Sequence, residues 1–185
     1  MEYVNRKKME AIRDSVRYMN GSEVSYDAIT EALNAKIEEY GIPARVVSAT
    51  LGGGGLFAKE ETCIALVNPE HLYDYYKFCI YKKDVGKTCI VDIYSFGTSK
   101  NMKNESLASK KIFDGSGAIG TAAGILHGGA AGVGFAIGSA AVGIGKAGIK
   151  AISKGIGKLF QDENSMEFEN EWYRAIAAIF DEVIY

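Results

Sequence analysis

The sequence predicts an α+β fold: two N-terminal helices on a four-stranded antiparallel meander, a Gly/Ala-rich helical module, and a C-terminal amphipathic helix packing back on the sheet. Three observations carry this. Apolar residues recur at helical spacing over residues 3–40 and again over 166–185. Between Arg45 and Phe96 the period shortens, and β-branched and aromatic residues crowd together. Then 14 of the 22 glycines fall between Gly115 and Gly157, a local shift that marks a module boundary near residue 112. A chain of 185 residues has room for one domain and a second short module.

The elements follow in order. Residues 3–19 set Met9, Ile12, Val16 and Met19 on one helical stripe, with Arg6, Lys7, Glu10, Arg13, Asp14 and Arg17 elsewhere. Asn20-Gly21 supplies a C-cap. A second helix opens at Ser22 or Ser25 and carries the stripe Tyr26, Ile29, Leu33, Ile37 and Tyr40. Gly41 closes it and Pro43 forbids its continuation. Four strands come next: RVVSATL (45–51), ETCIALV (61–67), DYYKFCIY (74–81) and KTCIVDIYSF (87–96). The last two join at Lys83-Asp84-Val85-Gly86, a hairpin turn. They are apolar or aromatic on both faces, so both faces need cover. The two N-terminal helices cover one. The C-terminal helix, with Phe168, Trp172, Ile176, Ile179, Phe180 and Val183 on one side, covers the other. Residues 1–97 plus 162–185 then form one α+β domain, 98–114 a polar connector, and 115–160 a glycine-zipper helical module between them.

Composition narrows the function. Net charge is −2 and the pI is near 5.8, so there is no global basic footprint and no nucleic-acid partner is expected. Cys63, Cys79 and Cys89 make an odd count without CxxC, which argues against a disulfide framework or a zinc site and for small apolar residues in strands. His71 and His127 are the two histidines, too few for a multi-His metal site, and His71 reads as a surface loop residue. Asp84-Val85-Gly86-Lys87-Thr88 holds the tail of a phosphate-binding loop. However, position 81 is Tyr rather than Gly, and a strand follows where a helix is required, so the segment reads as a turn. LGGGGLF (51–57) also reads as a turn, and Tyr73, Tyr75, Tyr76 and Tyr81 as sheet core. The sequence predicts no catalytic residue, no cofactor and no metal: the protein is expected not to be an enzyme. An enzyme or ligand-binding domain near the 52–55 glycines and the tyrosine-rich sheet is a third reading. The N-terminus, MEYVNRKKMEAIRDSV, is polar and lacks an apolar h-region, which predicts cytoplasmic synthesis.

Residues 117–145 pass without one formally charged side chain, and 18 of these 29 are Gly or Ala. Gly120, Gly124, Gly128 and Gly132 recur every fourth residue, and Gly134 and Gly138 repeat the step. On a helix this spacing makes a groove without Cβ atoms in which a second helix can lie. Ten interior glycines cost roughly 10 kcal/mol relative to Ala in water, so such a helix needs a close partner or a bilayer. His127 beside Gly128-Gly129 marks a hinge or a pH-dependent element. Lys146, Lys150, Lys154 and Lys158 then repeat every fourth residue, placed to meet anionic head groups.

The glycine and lysine steps over residues 115–160 resemble glycine-zipper membrane segments and the Gly-rich cationic helices of two-peptide bacteriocins. The resemblance implies helix association in membranes and, for bacteriocins, permeabilisation. The leading expectation is a non-enzymatic membrane-interacting protein whose zipper self-associates into a homo-oligomer. It would meet the lipid bilayer peripherally, or insert conditionally as a helical hairpin, in the manner of a pore-forming or membrane-perturbing effector. The alternative is a soluble oligomeric assembly protein with tightly paired Gly/Ala helices and no membrane role.

Overall fold

A computed structural model describes residues 1–19, 24–53, 59–102, 105–109, 112–113, 125–127, 134–136 and 166–185. Its centre is a mixed sheet curled into a half-barrel, not a four-stranded meander. The strands are β1 (Glu2–Asn5), β2 (Glu10–Ala11), β3 (Val16–Tyr18), β4 (Arg45–Gly52), β5 (Glu61–Val67), β6 (Lys77–Val85) and β7 (Thr88–Phe96). Their order is β1-β4-β5-β6-β7-β2, with β3 also paired to β7. β1 runs parallel to β4; the remaining pairs of this sheet are antiparallel. Among the described residues two α-helices accompany it, α1 (Tyr26–Tyr40) and α2 (Met166–Val183).

The expected first helix is absent. Residues 2–18 instead supply β1, a single 3-10 turn at Arg6–Lys8, β2 and β3. The helical stripe was a coincidence of spacing: Val16 and Tyr18, two apart, are buried, whereas Met19 is 76% exposed. Tertiary pairing overrides the local period, because the outer edges of β4 and β7 otherwise leave backbone donors and acceptors unpaired. Asn20-Gly21 lies outside the described residues.

That N-terminal segment dictates the curl. β1 pairs with β4 at one edge and β2 with β7 at the other, with only residues 6–9 between them. On a flat sheet those strands would lie about 24 Å apart, five spacings of roughly 4.8 Å. The chain from Asn5 to Glu10 reaches at most about 18 Å, and less through a 3-10 turn. The edges are therefore drawn together. Val4 and Met9 pack with Ala49, Leu51, Cys63, Ala65, Val67, Cys79 and Phe96, so the crossover runs over this face and the face is concave. Small residues line it at Ala49, Cys63, Ala65 and Cys79, as a tight curl requires.

The other face carries both helices. Ser25 caps α1 by accepting from the Ala28 N–H, and Gly41, at φ +61°, ends it. Ile29, Leu33 and Tyr40 turn inward against the sheet and α2. α2 is buried along most of its length, among Phe78, Ile80, Val91 and Ile93 of the sheet. Met102, Leu107 and Phe113 close over the same core, from the stretch that reads in sequence as a polar connector. β6 and β7 join through a two-residue turn with Gly86 at φ +64°.

The Gly/Ala stretch was expected to be helical. Its described residues form two short antiparallel strands instead, β8 (Ile125–His127) and β9 (Gly134–Ala136), which pair only with each other.

Candidate functional site

Two places in the body bear on function. The first is the base from which the Gly/Ala segment departs. Phe113 is the last described residue before it and Met166 the first after it. Phe113 and two residues of α2 meet one aromatic side chain of β6. The Phe78 ring lies 5.5 Å from Phe113, 5.9 Å from Trp172 and 5.5 Å from Phe180. Phe113 and α2 thus share a single cluster, and the Trp172 indole N–H is fixed to the Pro43 carbonyl at 3.1 Å. Beside it Glu169 has no solvent exposure. Its carboxylate accepts from the Tyr173 hydroxyl and, at 2.9 Å, from the Asn101 amide. The Tyr173 oxygen in turn accepts the Tyr76 N–H at 2.7 Å. Burial among these groups pushes the Tyr173 phenol well above its usual range, so it remains a donor at any working pH.

His71 belongs to this base and is not the surface residue its sequence context suggests. It is 6% exposed, stacks on Tyr75 at 4.1 Å, and places Nδ1 3.3 Å from Asp74. The stacking partner is four residues on, in the turn that precedes β6, so alternation along a strand could not reveal it. The clustered tyrosines divide accordingly. Tyr75 is buried in that turn, Tyr73 is 83% exposed, and Tyr81 sits in β6 against the concave core.

Of the residues singled out in the Gly/Ala segment, His127 and Gly134 face each other across the β8–β9 ladder, in extended backbone rather than helix. Ile125 faces Ala136 and Leu126 faces Phe135. Gly120, Gly124, Gly128, Gly129, Gly132, Gly138, Lys146, Lys150, Lys154 and Lys158 lie outside the described residues. Gly52 and Gly53 of the glycine run hold β1 in place. A Cβ on Gly52 would meet the Tyr3 hydroxyl at 2.7 Å, and Gly53 needs φ +85° beside Asn5. A packing role accounts for both.

The second place is a break between β5 and β6. Regular pairing runs from Leu66/Phe78 to Ile64/Ile80. Continuing that register brings Thr62 opposite Lys82, but a direct bond does not form there. The Tyr26 hydroxyl, from the first residue of α1, accepts the Lys82 N–H at 2.9 Å and donates to the Thr62 carbonyl at 2.9 Å. On the concave side of the same rung, Glu61 accepts from both the Arg6 guanidinium and the Tyr81 hydroxyl. The Tyr81 hydrogen bond, with the Arg6 charge, holds the Glu61 carboxyl below its usual range. On the helix side an open cleft of about 470 Å³ is bordered by Tyr26, Asp27, Thr30, Ser48, Thr62 and Cys63. Neither the break nor the Arg6–Glu61–Tyr81 cluster has a sequence signal, since the partners lie 20 to 56 residues apart. Tyr26→Phe removes the bridge. It is expected to cost about 1 kcal/mol in urea unfolding and to speed hydrogen exchange at the Lys82 amide.

Among the described residues no group of three or more His, Cys, Asp or Glu is placed to hold a metal ion, and no helix is long and apolar enough to cross a membrane. No family model, curated protein or solved structure matches the chain.

Proposed function

We propose that the protein is a non-enzymatic membrane-associating protein in which a curled α/β body presents the uncharged Gly/Ala segment to a bilayer, where copies self-associate. One observation carries this reading. The described residues of the segment pair only with each other, while Phe113 before it and α2 after it share one aromatic cluster of the body. The body has a core of its own, built from described residues outside the segment.

The chemistry of the segment fits a lipid interface. A backbone entering hydrocarbon must satisfy all its donors and acceptors; the β8–β9 ladder satisfies those between its strands, and its outer edges need the head-group interface or another copy. Large apolar residues of the stretch are few but include Ile125, Leu126, Phe135 and Ile137. The following lysines, Lys146, Lys150, Lys154 and Lys158, add attraction to anionic head groups, about 1 kcal/mol each near the surface. Association is therefore expected to strengthen with anionic lipid content and weaken with salt.

The test is flotation and dye release with vesicles of neutral and of 30% anionic lipid, at neutral and acidic pH, comparing wild type with Leu126→Glu/Phe135→Glu. This cross-strand pair sits at the middle of the β8–β9 ladder. Wild type is expected to float with anionic vesicles and the double variant to lose at least about tenfold in binding, from the insertion cost of charge. A wild type that stays with the soluble fraction under every condition, as a stable oligomer by sedimentation, would instead favour the soluble assembly protein. Equal binding by both proteins would remove the segment as the contact.

A further inference from the structure

The outer edge of β4 is only half covered. β4 has eight residues, and β1 pairs with the last four, from Glu2 opposite Ala49 to Asn5 opposite Gly52. Along Arg45–Ser48 the strand pairs with β5 on its inner side. Among the described residues no strand and no hydrogen bond lies on its outer side there. Backbone groups alternate in direction along a strand, so two of these four residues aim an N–H and a C=O outward. Such a row is a template for one more strand. Arg45 and Ser48, at its two ends, are exposed.

Side chains of the stretch alternate between the two faces of the sheet. Val46 packs with the helix-side core and Val47 with the concave core. Ser48 therefore shares the helix face with Val46, and Arg45 the concave face with Val47. The cleft of about 470 Å³ opens on the helix face against Val46 and Ser48, and α1 sets Asp27 and Thr30 on its opposite wall. Asp27 is exposed, and no salt bridge among the described residues includes it. A strand laid along the edge would hold alternate side chains beside the cleft, where a cation meets Asp27. The others would fall on the concave side, where Arg45 calls for an anion.

We propose that the Arg45–Ser48 edge of β4 docks an extended peptide of a protein partner by strand addition, antiparallel to β4, with the pattern basic–apolar–apolar–acidic. The basic residue lies opposite Ser48 and reaches Asp27. The two apolar residues lie opposite Val47 and Val46, and the acidic residue lies opposite Arg45. Main-chain hydrogen bonds supply the affinity, while the cleft and the two charges supply sequence and register. The charges also set the direction, since the same peptide laid parallel to β4 brings like charges together at both ends. This surface lies on the body and stands independently of the membrane reading.

The test titrates the isotope-labelled full chain with the peptide Ac-TKVVET-NH2 and follows backbone amides by NMR. Amides of Arg45–Ser48 are expected to shift, and exchange with solvent should slow by at least about tenfold at the two that point outward. Two further peptides separate strand pairing from side-chain contact. One is N-methylated at the lysine and the second valine, the other at the first valine and the glutamate. One of them should lose at least about tenfold in affinity and the other bind within about threefold of the parent, because only one alternate set of amides faces β4. The peptide Ac-TEVVKT-NH2, of equal composition, should bind at least about fivefold more weakly, and Asp27→Asn should narrow that gap. No shift at Arg45–Ser48 up to about 5 mM peptide, equal binding by both methylated peptides, or binding of Ac-TEVVKT-NH2 as tight as the parent would each overturn the proposal. Shifts at these amides that grow with protein concentration alone would give the edge to a second copy and likewise overturn it.

Discussion

Phe78→Ala is expected to destabilise the protein by about 4 kcal/mol, read as a lower urea midpoint at unchanged slope. The Phe78 side chain has no solvent exposure and meets four aromatic rings, those of Phe113, Trp172, Tyr173 and Phe180. The site cannot collapse around the loss. Phe78 is held in register on both sides, against Leu66 in β5 and Ser95 in β7, and α2 is fixed through Tyr18 to the Ile184 carbonyl and Trp172 to the Pro43 carbonyl. Most of the removed volume therefore remains as a cavity. Phe78→Leu, which retains much of the apolar volume, is expected to cost less than half as much. A loss below about 1 kcal/mol for the alanine variant would mean that Phe78 is not the common anchor of Phe113 and α2.

Asp181→Ala is the second large effect, expected near 3 kcal/mol. Arg13, between β2 and β3, forms an ion pair with Asp181 on α2, through two guanidinium nitrogens. The Arg13 side chain is only 8% exposed and lies over the rings of Tyr185, at 4.8 Å, and Phe113, at 5.9 Å. Removing the carboxylate strips a largely buried guanidinium of its two hydrogen bonds to Asp181, a heavier penalty than the pair itself is worth. The double variant Arg13→Met/Asp181→Leu should recover much of the loss, because neither charge then needs compensation. If the single variant costs no more than a surface pair, below about 1 kcal/mol, the pair is solvated and the N-terminal strands are not tied to α2 through it.

The parts of the fold legible in the sequence are those whose signals are local. Ser25, the Ile29/Leu33 stripe and Gly41 define α1 within sixteen residues or so, each by a cap or a contact of its own. β-branched runs locate β4, β5 and β7, and Gly86 sets the turn between β6 and β7. The N-terminal strands were not legible, because their partners lie far along the chain. Glu2 pairs with Ala49 and Glu10 with Ser95, and nothing near residues 2–18 announces a sheet edge to fill. The spacing of Met9, Ile12, Val16 and Met19 fitted a helix, while the inward pair Val16 and Tyr18 obeyed the strand period. In the same way the glycine step after Gly120 suggested helix, but at Gly134 and His127 cross-strand pairing decides the backbone. The concave cluster had one faint signal, the small residues at alternate positions of β4, β5 and β6, whose meaning depends on the curl.

The most direct measurement compares vesicle flotation of the full chain with that of a chain in which residues 117–160 are replaced by a short Gly/Ser linker. Phe113 and Phe168 both belong to the core that contains Phe78, and that core needs no residue of the replaced stretch. The full chain is predicted to float with anionic vesicles, and the shortened chain to stay in the soluble fraction with a melting temperature within a few degrees of the original. Equal flotation of the two chains, or none by the full chain at any pH or lipid composition, would contradict a body that presents this segment to membranes.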